Sequence, residues 1–431
     1  MKILVLNAGS SSQKSCLYDW QAGDSLTIAP VPLWQGFASW DSAGSTASVT
    51  LKTHNQSDNQ SEPLRLVCPS TDPTIVAGFL LESLYQGDSA VIHSLEELDG
   101  IGHRVVHGGT DYQRSVRITP AVKAAIDRWS AFAPLHNPAN LAGIEAIEAI
   151  FKTLGRDIPQ FAVFDTAFHS TLSPAAYTYP GPYDWLNQDI RRYGFHGTSH
   201  QYCSEQVQTY LQQAGLPLAQ RLITCHLGNG CSLTAIRDGR SVDTTMGFTP
   251  LDGLMMGTRS GSLDPGILLY LLRQHNLTVE QLDRLLNRES GLLGLSGVSN
   301  DLRSLLTAID GGNSRAQLAL DVFLHRLRSS MGAFVASLGG VDTIVFTAGI
   351  GENSPLIRSQ ACQGFNFLGL ELDEVANAQG RGDRLISTPL SPVRVWVIHT
   401  EEEWTIARES IEILKTGEGD SSPQDILCQR Q

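Results

Sequence analysis

No stretch of this 431-residue sequence holds the roughly 20 consecutive apolar residues that a membrane-spanning helix requires. Only four apolar residues, Ile3 to Leu6, separate Met1-Lys2 from Asn7, too few for the core of a secretory signal. A cytoplasmic protein with no membrane partner is therefore expected. Cysteine is sparse: the seven residues are an odd number, scattered without any CxxC spacing, which fits reduced thiols better than a disulfide framework or a thiolate zinc site. Positive charge is short as well, since 31 Lys and Arg face 44 Asp and Glu, for a net charge of -13 and a pI near 5.3. Such a surface repels nucleic acid and anionic membranes, so an anionic ligand must be met by a local cluster of Arg, Lys and His. A P-loop is missing too. Upstream of Lys14, Ala8 and Gln13 stand where its two glycines would be, and strand-like sequence follows where a helix should begin.

The remaining composition is that of a globular protein, 42% hydrophobic, and the length favours two domains over one. The most informative stretch is Leu222 to Gly266. An apolar run, Leu222 to Cys225, breaks at the turn His226-Leu227-Gly228-Asn229-Gly230 and resumes as a strand ending at Asp238-Gly239, a hairpin signature. Glycines there allow backbone N–H groups to approach an anion. Asp243-Thr244-Thr245 and Met256 to Gly261, with Arg259, follow in glycine-rich sequence. The N-terminus repeats the plan: Ile3 to Leu6 enters Asn7-Ala8-Gly9-Ser10-Ser11-Ser12-Gln13-Lys14 and leaves through Ser15 to Asp19, so that Asn7 aligns with His226 and Asp19 with Asp238. Two such units suggest a duplicated architecture holding nucleotide; two unrelated hairpins is the plainer alternative.

Between the hairpins, Ala38 to Glu62 is rich in Ser, Thr, Asn, Gln and Asp around one strand-like piece, Ser48 to Leu51, and reads as an exposed, mobile insertion. Ile101 to Gly109 sets Arg104 on a short apolar strand, where it needs either an anionic ligand or a carboxylate partner. His136 lies in a proline-bracketed loop before a helix spanning Ala139 to Phe151, placed for solvent or for catalysis. Asp165 ends the apolar strand Gln160 to Phe164, the position at which open α/β sheets present ligand contacts. A third glycine-rich junction, Ala348 to Asn353, follows the strand Thr343 to Thr347 and suits nucleotide. Glu401-Glu402-Glu403 opens the last helix, as metal ligands or simply as acids at a helix N-terminus.

Taken together, NAGSSSQK, GHRVVHGG, FDTAFH, YGFHGTSH, HLGNGCSL, MGTRSGSLDPG and TAGIGENS closely resemble the acetate kinase family, over Met1 to about Lys415. The resemblance implies an α/β fold of two duplicated actin-like (ribonuclease H-like) domains with the active site in the cleft between them. Residues 1–166 plus about 399–415 would form the N-terminal domain, 167–398 a C-terminal domain bearing a homodimer interface, and 416–431 a disordered tail. It further implies reversible, Mg²⁺-dependent (Mn²⁺ possible) in-line phosphoryl transfer from ATP to acetate, giving ADP and acetyl phosphate. On the same basis Asn7 and Glu402 belong to the metal region, and Lys14 with Ser10 and Ser12 to the nucleotide phosphates. His226, Leu227, Gly228, Asn229 and Gly230, then Asp301, Leu302 and Arg303, then Gly349, Ile350, Gly351, Glu352 and Asn353 match ATP-binding segments. Arg104 matches a substrate contact, Asp165 the catalytic acid, His196 and Arg259 transition-state stabilisers, and His136 a further active-site histidine. Val106, Leu135, Phe195 and Pro250 match a small apolar acceptor pocket. Leu302 replaces a common aromatic, and Glu401 a usual Asn. The alternatives are a propionate or other short-chain carboxylate kinase and, outside enzymes, an ATP-dependent clamp; Arg104, Arg259 and His196 argue against the clamp, which needs no arginine pair around an acceptor.

Overall fold

The computed structural model describes residues 1–9, 12–40, 44–54, 62–134, 136–380 and 382–417. The chain divides into two compact units, Met1–Ala167 with the segment from Glu401 onward, and Phe168–Thr400. Residues 55–61 of the polar insertion read at Ala38 to Glu62, and nearly all of the tail beyond Thr416, lie outside the described residues.

The first unit is built on strands β1 (Lys2–Ala8), β2 (Ser12–Asp19), β3 (Trp34–Ser39), β4 (Ala47–Thr53), β5 (Leu64–Cys68), β6 (Gly100–Val105), β7 (Val116–Arg117) and β8 (Gln160–Phe164), in the order β5-β4-β3-β2-β1-β6-β8-β7. The β1–β2 hairpin pairs Asn7 with Lys14, and β1, β6 and β8 run parallel. Parallel strands need covering on both faces. The helix Asn137–Thr153 packs on one side of β1 and β6, and the late helix Glu402–Thr416 packs on β1, β6 and β8. Gly102 explains how closely that last helix approaches: a Cβ there would lie 2.6 Å from Ser410 Oγ and 2.7 Å from Ile406 Cγ2.

One expectation is overturned here. The polar segment after Ala38 is not merely an exposed insertion, because β4 pairs with both β3 and β5, and Ala47, Val49 and Leu51 are fully buried beside Trp34 and Leu80. The reason is the period-2 alternation of that piece, which turns every second residue to the core whatever its neighbours' polarity.

The second unit repeats the plan with β9 (Arg221–Leu227), β10 (Cys231–Arg237), β11 (Arg240–Thr244), β12 (Thr343–Thr347), β13 (Arg384–Leu385) and β14 (Arg394–Val397), ordered β11-β10-β9-β12-β14-β13. Again an antiparallel hairpin, β9–β10, precedes strands running parallel to its first member, β12 and then β14. The 25-residue helix Ser314–Leu338 buries Leu320, Phe323, Leu324, Leu327 and Met331 at three- and four-residue spacing and packs on β10. The glycine-rich Ala348–Asn353 is a short helix rather than an open loop. By contrast the helix Pro265–Gln274, PGILLYLLRQ, buries none of its residues.

Candidate active site

Polar groups gather at the carboxyl ends of the parallel strands in each unit. In the first, Arg104 near the end of β6 faces Asp165, which follows β8. Its Nε donates to both carboxylate oxygens at 3.0 Å, and Nη2 donates to Oδ2 as well. Asp165 is fully buried. Burial works against the Arg104 charge, but Asp165 outweighs it and holds the guanidinium above its ordinary pKa. The Arg104 side chain is thereby fixed in direction, with Nη1 donating to Asn7 Oδ1 at 3.3 Å. Both readings of Arg104 thus meet here: it has a carboxylate partner, and its neighbours are the groups singled out for ligand binding.

Asn7 passes the network on by donating from Nδ2 to Glu403 at 3.0 Å, and Lys14 lies 3.8 Å from the same carboxylate. Glu403 raises the Lys14 pKa, although the ammonium stem is 61% exposed, so water screens much of that attraction. Glu402 differs. Among the described residues its carboxylate accepts no hydrogen bond and touches no cation, and burial pushes its pKa up to about 7 against the pull of Arg104.

The backbone of this region is held by two asparagines that the sequence did not flag. Asn140 accepts from Val106 N at 3.2 Å and donates to Ala8 O at 3.1 Å, while Asn137 brackets His107 by accepting from its N–H and donating to its carbonyl. Val106 is buried. His136 is the N-cap residue of the helix Asn137–Thr153, capping it through its carbonyl, which accepts from Asn140 N at 3.0 Å, and not through its side chain, and Ser12 opens β2 with its carbonyl accepting from Gly9 N at 2.8 Å. Ser10 and Leu135 lie outside the described residues.

The second unit holds the other half of the expected residues. His196 sits in the left-handed region (φ 56) at the start of the helix Gly197–Gln213. Its ring stacks on His226, centroids 4.1 Å apart, and its Nδ1 lies 2.8 Å from Ser232 Oγ. His226 and Leu227 end β9 rather than opening the turn, which tightens to Gly228-Asn229-Gly230 with Gly228 N donating to Gly230 O. A Cβ on Gly230 would come within 3.4 Å of the His196 ring and 3.5 Å of Arg259 Nη1, so this glycine brings the turn against both side chains. Arg259 Nη1 also donates to the carbonyl of Pro250 at 3.1 Å. Phe195 is buried, and its carbonyl lies 3.0 Å from His169 Nε2.

The remaining nucleotide-side residues fall on two short helix starts. Asp301 caps the helix Leu302–Asp310 by accepting from Arg303 N, pairs with the Arg303 guanidinium at 2.8 Å, and leaves Leu302 buried. In Ala348–Asn353, Ala348 takes a positive φ of 64, and Asn353 Nδ2 donates to Gly349 O. The buried Arg358 donates 2.8 Å bonds to the carbonyls of Gly351 and Glu352, an anchor that no local pattern announces. Glu352 meets His399 Nδ1 at 2.7 Å. Ile350 lies within this short helix, its carbonyl accepting from Ser354 N at 3.0 Å.

Chemically the two sets are alike in kind: strand-end backbone N–H groups and glycines able to hold phosphate, together with fixed cations able to balance its charge. Among the described residues no group of three or more His, Cys, Asp or Glu side chains is placed to hold a metal ion, and no helix is long and apolar enough to cross a membrane.

Comparison with known proteins accords with this geometry. The sequence profile of the acetokinase family matches residues 2–408. The chain is 56% identical to the acetate kinase of Gloeobacter violaceus, over 95% of this chain and 98% of that one, and 55% identical to that of Nostoc punctiforme, over 96% and 100%. Among solved structures it superposes on the acetate kinase of Porphyromonas gingivalis with a TM-score of 0.84 at 42% identity, covering 96% of this chain and 99% of that one. It superposes on a propionate kinase from Francisella tularensis with 0.83 at 37%, covering 95% and 98%.

Proposed function

The chain belongs to the acetokinase family, and from that premise we propose that it transfers the terminal phosphoryl group of ATP to acetate, reversibly, giving acetyl phosphate and ADP. The observation that carries the reading is the Arg104–Asp165 pair with Asn7 at the end of β6. A guanidinium locked by a buried carboxylate is a preorganised anion contact, and it sits beside Val106, an apolar residue suited to a methyl group.

An acetate oxygen is already nucleophilic at neutral pH, so direct in-line transfer needs alignment and charge cancellation rather than a strong base. We assign Arg104 to the acceptor carboxylate, Asp165 to holding that arginine in position, and Lys14 to the nucleotide phosphates. Arg259 and His196 are assigned to the charge that develops on the transferred group, and the Gly228-Asn229-Gly230 turn and the Ala348–Asn353 helix to the nucleotide. Val106 is assigned to apolar surface for the acetate methyl.

Magnesium fits the residues present. Glu402 is a carboxylate without a hydrogen-bond donor or contacting cation among the described residues, near Asn7, and Mg²⁺ is commonly held by one or two carboxylates plus substrate phosphates rather than by an all-protein cage. When bound it would neutralise phosphate charge. Glu403, already occupied by Asn7 and Lys14, would set the position of both.

The homodimer reading is supported by the helix Pro265–Gln274, on which Ile267, Leu269 and Tyr270 are 44%, 50% and 57% exposed; an apolar helix face left open in this way suits a second copy of the chain. A cytoplasmic location accords with the acidic charge balance and the buried free thiols of Cys16, Cys225 and Cys362. The test is an acetyl-hydroxamate assay with ATP, Mg²⁺ and either acetate or propionate. Turnover is expected to favour acetate, whereas a preference for propionate would transfer the chain to its sister activity.

A further inference from the structure

The second unit contains a chain of hydrogen bonds that the roles above do not use. His196 Nδ1 lies 2.8 Å from Ser232 Oγ, Ser232 Oγ lies 2.8 Å from His200 Nε2, and His200 Nδ1 lies 2.7 Å from Thr224 Oγ1. Ser232, His200 and Thr224 are all fully buried. Water therefore cannot supply a missing partner along the chain, and each member must satisfy its neighbours.

The far end decides the direction of every bond. Among the described residues the Thr224 hydroxyl has His200 Nδ1 as its sole partner. If Thr224 accepted from an Nδ1–H, its own proton would be buried without an acceptor, which is disfavoured by on the order of tenfold or more. So Thr224 donates to a bare Nδ1. A neutral His200 then carries its proton on Nε2 and donates to Ser232 Oγ, leaving the serine to donate its proton to His196 Nδ1. Neutrality of His200 is secured by burial, with His169 and His226 beside it, which together push its pKa well below the usual histidine value. A neutral His196 whose Nδ1 accepts carries its proton on Nε2.

We propose that Thr224, acting through His200 and Ser232, is a positioning residue that fixes His196 as a neutral hydrogen-bond donor at Nε2. Charging His196 at Nδ1 would require all three bonds to reverse together and would strand the Thr224 proton. The titratable and charged groups packed around the chain are His226 at the end of β9, stacked 4.1 Å from His196, His169 after β8, 5.8 Å from His200, and Arg259, which flanks Gly230 together with His196. A neutral donor suits a place beside Arg259, because a second full charge there would repel the guanidinium. The catalytic value of this arrangement rests on the role proposed for His196; the proton's location does not.

Long-range ¹H–¹⁵N spectra of the histidine rings in the full chain, with His196→Gln to assign the signals, provide the test. In the wild type near neutral pH His196 is expected to show a bare Nδ1 and a protonated Nε2. Thr224→Val, which removes the hydroxyl at nearly constant volume, is expected to bring the tautomer ratio of His196 from on the order of tenfold or more toward unity, and Thr224→Ser to restore it. Ser232→Ala is expected to lower kcat by about tenfold with the KM for ATP within about twofold. A protonated Nδ1 in the wild type would overturn the inference outright, even if Thr224→Val proved unstable, and an unchanged ratio in a folded Thr224→Val would overturn the part played by Thr224. An active His196→Gln would instead remove the proposed catalytic role and leave the tautomer standing.

Discussion

Deleting one member of the Arg104–Asp165 pair should destabilise the first unit unequally according to which member is lost. The side chains of Arg104 and Asp165 are only 16% and 1% exposed, so this is a buried pair, for which removal of one partner typically costs about 3–5 kcal/mol. The surroundings make the two deletions differ. Arg104 shares its neighbourhood with Asp165, Glu402 and Glu403 and with the cation Lys14. Losing the arginine leaves three carboxylates, one of them the fully buried Asp165, facing one exposed ammonium. Losing Asp165 leaves the arginine with Asn7 and two nearby glutamates. Arg104→Ala should therefore fall near the upper end of that range and Asp165→Ala near the lower end. For a unit of this size the corresponding drop in Tm is on the order of 10 °C. Arg104→Met combined with Asp165→Leu should recover most of the loss while remaining inactive, because an apolar pair of similar volume removes the buried charge altogether. Differential scanning calorimetry on the wild type, the two single variants and the apolar double variant makes the comparison. A loss below about 1 kcal/mol for either single variant, or a larger loss for Asp165→Ala than for Arg104→Ala, would refute this account of the pair.

Acid should weaken the first unit through its buried histidines. Burial lowers the pKa of His103, beside Gln160, to about 4 and that of His107 to about 3. Both folded values lie below the unfolded one, so stability present above pH 6.5 is lost as the pH falls, by about 3 kcal/mol per histidine at pH 4; melting curves of His103→Gln should show a shallower acid limb, and a limb of unchanged slope would count against this. Gly230→Ala should leave kcat within a few-fold of wild type, since the new methyl would meet the His196 ring and Arg259 only at ordinary van der Waals distance, 3.4 and 3.5 Å; a loss of about a hundredfold in steady-state kinetics would show that the turn tolerates no side chain there. Gly109→Ala should fail on stability instead, because its Cβ would overlap the Trp129 ring at a φ of 62; a cooperative melt within about 2 °C of wild type would contradict the geometry. Val106→Ala should narrow the acetate-over-propionate preference by making room for one methylene, worth roughly 1–3 kcal/mol; an unchanged ratio of kcat/KM values would separate Val106 from the acceptor.

The sequence was most legible where the information is local. The twin hairpins could be read because apolar runs interrupted by glycine turns report strand pairing over a dozen residues, and the helix read at Ala139 to Phe151 is found at Asn137–Thr153. The strand at Ser48–Leu51 could be seen, but its polar flanks hid that Val49 and Leu51 belong to the core, because composition averages over the two faces that alternation separates. The three acids at Glu401–Glu403 illustrate a finer limit. Which of them binds Asn7 depends on where the first turn of the helix begins relative to β1, almost 400 positions away in the chain. Asn137, Asn140, Arg358 and the series Thr224, Ser232, His200 were invisible for the same reason: each is defined by what it touches, and those partners come from distant elements.

The division of the chain carries a consequence for biosynthesis. Domains usually fold in the order in which they leave the ribosome, yet here the second unit, Phe168–Thr400, is continuous and complete, while the first must wait for the helix Glu402–Thr416. That helix brings Trp404, Ile406, Ala407 and Ile411, all fully buried, to the sheet formed by the earliest residues made. The nascent first unit therefore stays with one sheet face uncovered throughout synthesis of the second, the state in which chaperones most readily engage a chain. The last elements to arrive, Glu402 and Glu403, are also those proposed to serve the metal and Lys14, so a ribosome-stalled or truncated product ending before them would be a binding-incompetent fragment rather than a slow enzyme.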